Sequence, residues 1–88
     1  METRVAVISI IVEKGASTEL LNQRLHEAAP YIIGRMGIPY PKRGINIISV
    51  AIDAPQTVIS ALSGQIGALP GVSAKTAYSA VISREEAL

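Results

Sequence analysis

Eighty-eight residues with a formal net charge of +1 fit one domain, since domains cluster at roughly 100–150 residues and rarely split below that. The near-neutral balance offers no basic stripe for a nucleic acid, and the lack of cysteine excludes disulfides, thiolate metal sites and a thiol nucleophile. Yet 49% of residues are apolar and 17% charged, against a usual charged fraction of about 25%; so small a monomer cannot hide that much apolar surface, and a homo-oligomer, dimer or tetramer, is expected.

The start, Met1 to Arg4, lacks a basic leader ahead of an apolar run, and no run approaches the roughly 18 apolar residues of a spanning helix. A soluble cytoplasmic protein with no membrane partner is expected. Thr3–Val12 is predicted as a strand rich in β-branched residues. Both of its alternating sets are largely apolar, with Val5, Val7 and Ile11 on one side and Ala6, Ile8 and Ile10 on the other. Such a strand is central and covered twice. Glu13-Lys14-Gly15-Ala16 turns the chain, and Ser17 is placed to cap a helix over Thr18–Ala28 that buries Leu21, Leu25 and Ala28. Pro30 forces an exit from helical geometry.

Tyr31–Ile38 is the next predicted strand, with Ile32, Gly34, Met36 and Ile38 on one face and Gly37 opposite; the glycines invite a bulge or a close backbone contact. Pro39 to Gly44 has the composition of a turn. Ile45–Ile52 is a second strand apolar on both faces. Asp53 and Gln56 then have capping-box spacing, Pro55 falls in the first turn, and Ile59, Leu62, Ile66 and Leu69 form one stripe. Gly67 can take the left-handed conformation that ends a helix, and Pro70-Gly71 turns into a last strand towards Tyr78. Ser83 and Glu86 are spaced to cap a short helix over Ser83–Leu88, or that end frays. Residues 1–80 are taken as the domain and 81–88 as a tail.

The order is β-α-β-β-α-β: an α+β, ferredoxin-like sandwich, a four-stranded antiparallel sheet with two helices on one face. The two doubly apolar runs, taken by themselves as adjacent parallel strands, belong at its centre. The face without helices is then greasy and needs a partner. Ser9 and Ser49, small and polar among aliphatics, point to Val7, Ser9, Ile47, Ser49 and Ala51 as the outward set and the subunit interface.

Catalytic and metal chemistry find little footing. His26 is the single histidine and flanks the buried stripe of its helix, and the carboxylates are scattered, so neither a metal set nor an acid–base pair forms; no cofactor is expected. Within this fold, an acylphosphatase needs an Arg, and a copper chaperone a Cys pair, in the loop Glu13–Ser17; neither is there. Ile33-Gly34-Arg35-Met36-Gly37 matches the I-G-x-x-G loop of KH domains, but Ile38-Pro39-Tyr40-Pro41 follows and cannot start the helix that loop requires. Lys42 and Arg43, near Arg35, read as a solvated turn.

At Y-I-I-G-R-M-G-I-P-Y (31–40), G-I-N-I-I-S-V-A-I-D-A-P (44–55) and above all A-L-S-G-Q-I-G-A-L-P-G-V-S-A-K-T (61–76), the chain resembles the iron-only hydrogenase system regulators, a family described as transcriptional regulators. The resemblance implies an ACT-like regulatory fold, similar to the C-terminal domain of nickel-responsive repressors. Aligned with those repressors, His26 falls on one metal-ligand position, while their H-x-H pair falls on Gly37 and Pro39 and their cysteine has no counterpart, so no metal is expected. ACT domains place a glycine where an effector approaches the backbone between first strand and first helix; Gly15 occupies that place, so a small-molecule effector, an amino acid for instance, is an expected partner. No ribbon-helix-helix or helix-turn-helix segment is present, which disfavours direct DNA binding. The expectation is a non-enzymatic ACT-like regulatory or effector-binding protein; the alternative is a structural or protein-partner-binding module without a small ligand.

Overall fold

The largely apolar, β-branched run Thr3–Val12 starts the sheet, and in the computed structural model, which describes residues 2–84, it sits inside a longer strand. The order is β1 (Glu2–Glu13), α1 (Thr18–Glu27), a 3-10 turn (Ala29–Tyr31), β2 (Ile32–Tyr40), a second 3-10 turn (Pro41–Arg43), β3 (Ile45–Ala54), α2 (Gln56–Gly67) and β4 (Val72–Arg84). Ser17 caps α1 as expected, its Oγ accepting the Leu20 N–H at 3.2 Å. Pro30 stands in the first 3-10 turn, which carries the chain out of α1.

The sheet order is β2-β3-β1-β4, with every neighbouring pair antiparallel. The central strands β1 and β3 are therefore not parallel, despite the continuous apolar runs that favour parallel sheets. The helix α1 returns the chain as β2 in the direction of β1, and the short turn after β2 reverses it, so β3 meets β1 head to tail. Ala6, Ile8, Ile10 and Val12 of β1 and Val50, Ile52 and Ala54 of β3 are buried beneath Leu21, Leu25 and Ala28 of the first helical segment and Ile59, Leu62 and Ile66 of α2. Both helices thus lie on one face, the ferredoxin-like arrangement.

Five local expectations are corrected. Asp53 does not cap α2: β3 runs on to Ala54, pairing Asp53 with Val5 and Ala54 with Arg4, and Pro55 is the residue at the cap, without a side-chain bond. The ladder to β1 outweighs one capping hydrogen bond, and Asp53 Oδ1 is left buried without a partner. Gly67 is helical rather than left-handed; the turn closes through Leu69 N–H to Ile66 O at 3.1 Å, and the positive φ of 74° moves to Gly71. Ile32 leaves the face of Gly34, Met36 and Ile38, because Ile32 pairs with Ile52 and Gly34 with Ala51, so Ile33 is an extra, bulged residue. Pro39 and Tyr40 extend β2 instead of opening a turn, which an edge strand tolerates. Ser83 and Arg84 are extended in β4, so a helix does not begin at Ser83; the rest of that expectation, including Glu86, lies outside the described residues.

Candidate functional site

Two surfaces stand out: the sheet face without helices and a groove between α1 and β2. On the sheet face the register builds three rows across four strands. They are Gly34–Ala51–Val7–Ala77, Met36–Ser49–Ser9–Lys75 and Ile38–Ile47–Ile11–Ser73. Val7, Ser9, Ile47, Ser49 and Ala51 all lie on this face, at its centre. Tyr40 and Ile45 continue it in a further pair. Met36 is 59% exposed, Ile38 50%, and Ile47 38%, so the face is apolar and open. Lys75, on the edge strand β4, is the single charge in the three rows. Glycine, alanine and serine at the middle keep the surface low enough for another layer to approach at the roughly 10 Å spacing of packed sheets. Met36 and Ile38 belong to this set only because of the bulge at Ile33.

Gly15 sits in the β1–α1 turn with a φ of 91°, and the turn is closed by Ala16 N–H to Glu13 O at 3.1 Å. It is exposed, and a Cβ there would meet nothing within 4 Å. It belongs to neither of the two surfaces.

The bulge also turns Arg35, Gly37 and Pro39 towards the helix layer, where they pair with Val50, Ile48 and Asn46. Arg35 Nη2 donates to Asn22 Oδ1 of α1 at 3.3 Å. Two adjoining cavities, of about 420 and 280 Å³, share Asn22 and Arg35 in their walls. The first adds Leu25, His26, Ala29 and Ile32; the second adds Thr18, Asn46, the β2 strand at Ile38, whose side chain belongs to the open face, and an apolar trough of Val12, Leu21, Pro39 and Ile48 beside Gly37. His26 and the Gly37–Pro39 pair thus line neighbouring parts of one groove, with His26 the sole imidazole among them. Among the described residues no three His, Asp or Glu side chains gather as a metal would need. Arg35 is drawn to α1, while Lys42 and Arg43 stay in the β2–β3 turn, so the three do not form one basic spot. The segment Ile33–Gly37 is strand throughout and no helix follows it, so it is not a KH-type loop.

Residues 4–76 match the TM1266-like family, described as iron-only hydrogenase system regulators. The chain belongs to this family. It is similar to the uncharacterized protein TM1266 from Thermotoga maritima at 30% identity and a TM-score of 0.83, the match covering 86% of this chain and 96% of that one. A formyltetrahydrofolate deformylase from Pseudomonas putida KT2440 shares the fold at 14% identity and a TM-score of 0.59, over 82% of this chain and 28% of its own. A comparison with curated proteins gives no match. Among the described residues no helix is long and apolar enough to cross a membrane.

Proposed function

We propose that the chain is a non-enzymatic regulatory protein of an iron-only hydrogenase system, cytoplasmic, working as a homo-oligomer through its helix-free sheet face and responding to a small-molecule effector. The observation that carries the oligomer is the set of three rows centred on Ser9 and Ser49, broken by one edge charge. A compact monomer of 9.3 kDa exposes about 5,000 Å², whereas this chain exposes 5702 Å². The extended ends of β1 and β4 account for part of that difference. If a pair buried about 1,600 Å², some 60% apolar, the gross hydrophobic term would be on the order of 20 kcal/mol, offset in large part by ordering and lost rigid-body freedom. Two sheets back to back about a two-fold axis are the simplest closed solution.

Both helices rest one side on the sheet, and β2 and β3 separate them in the chain, so they are not a consecutive pair that could present a recognition helix. Regulation is accordingly assigned to assembly and effector binding rather than to direct DNA contact. Sedimentation of the wild type at tens of micromolar, about the concentration at which such a balance favours association, tests the reading. An oligomer supports it, and a monomer overturns it.

A further inference from the structure

We infer that the groove between α1 and β2 binds a small aliphatic monocarboxylate, with Arg35 and Asn22 on the carboxylate and the trough beside Gly37 on the hydrocarbon tail. As the place where an effector acts, this site rests on the regulatory reading above; as a binding site it stands on its own geometry.

Arg35 crosses from β2 to α1, and its one polar partner among the described residues is the Asn22 side-chain oxygen at 3.3 Å. A guanidinium has five N–H donors, so most remain free, in the fork that matches a carboxylate. Because the Asn22 oxygen is turned to Arg35, its amide NH₂ is left as a further donor beside the same cavity. His26 adds an imidazole to that wall. No Asp or Glu lines either cavity. A cation with neutral donors and no competing acid is a setting for an anion.

The neighbouring trough decides what the anion is attached to. It is walled by aliphatic side chains, and Gly37 contributes no side chain where a Cβ would meet nothing within 4 Å. The trough itself, at about 280 Å³, lies just below the roughly 300–1,000 Å³ range of whole-ligand pockets, a size that suits a short hydrocarbon tail. An α-amino acid would bring an ammonium into walls that hold a guanidinium and no carboxylate, so it is disfavoured by like charge. Inorganic phosphate would leave the trough unused.

The test is calorimetry on tag-free protein with 4-methylpentanoate, with leucine (the same skeleton carrying an ammonium) and with inorganic phosphate. The expected result is binding of 4-methylpentanoate, with leucine and phosphate weaker by ~10-fold or more. Arg35→Gln and Gly37→Val should each weaken the carboxylate by ~10-fold or more, and Lys42→Gln in the β2–β3 turn should leave it unchanged. Circular dichroism confirms that each variant is folded; if Gly37→Val is not, Arg35→Gln decides. No heat with 4-methylpentanoate up to ~10 mM, undiminished binding in Arg35→Gln, or an equal loss in Lys42→Gln would each overturn the site. Sedimentation of the same samples separates the two readings. An oligomer that ignores the carboxylate removes the site alone, and a monomer that binds it removes the assembly alone.

Discussion

Ser9 of β1 and Ser49 of β3 are register partners at the middle of the sheet face that no helix covers. Each is flanked along its strand by residues that pair in the same way, Val7 with Ala51 and Ile11 with Ile47. The two serines therefore mark the centre of an apolar plane and do not interrupt it with charge. The one charge in these rows is Lys75 of β4, the register partner of Ser9.

Ile47→Glu should dissolve the oligomer or precipitate the protein, since a buried unpaired carboxylate is strongly unfavourable at a packed interface. Gln23→Glu, on an exposed position of α1, should do neither. Sedimentation velocity of both variants beside the wild type checks this, and an Ile47→Glu oligomer of unchanged size would sink it.

Gly71→Ala should destabilise by about 1–3 kcal/mol, because φ is 74° there and the added Cβ would lie 3.1 Å from Ala16 Cβ. Gly64→Ala, inside α2 and away from the sheet face, meets open space at an ordinary φ and should be stabilising by about 0.5–1 kcal/mol. Urea unfolding of the two variants gives opposite signs if the left-handed turn is at Gly71.

The reassigned caps give a matched pair. Ser17→Ala loses the bond to Leu20 N–H and should cost about 0.5–2 kcal/mol. Asp53→Ala loses no cap and removes a buried oxygen that lacks a partner, so it should be neutral or stabilising. Thermal unfolding in which Asp53→Ala costs as much as Ser17→Ala would restore the capping box.

Nickel should find no tight site. One imidazole, His26, without a thiolate cannot complete a square-planar or tetrahedral set within a chain. Calorimetry on the tag-free native assembly, where symmetry could gather several His26 side chains, is the measurement. Submicromolar Ni²⁺ binding lost in His26→Ala would contradict the expectation.

The sequence by itself determined the element order, because each element carries a local signature. Leu21, Leu25 and Ala28 repeat at helical spacing behind the Ser17 cap, and Thr3–Val12 and Ile45–Ile52 are largely apolar on both alternating sides. Double apolarity also located the centre of the sheet and the apolar character of its second face. Only the tertiary structure decided which way β2 presents its residues. One extra residue at Ile33 reverses the alternation, sending Ile32 to the helices while Met36 and Ile38 stay on the open face, and that residue is fixed by pairing with β3 rather than by anything local. The same pairing outweighed the capping box at Asp53, since a ladder to β1 holds it extended. The groove of Arg35 and Asn22 was illegible for the same reason. Thirteen positions separate the two residues, and no motif links them. They meet because the bulge turns Arg35 towards α1, and a side chain's direction across a long-range pairing is set by register, which local periodicity does not contain.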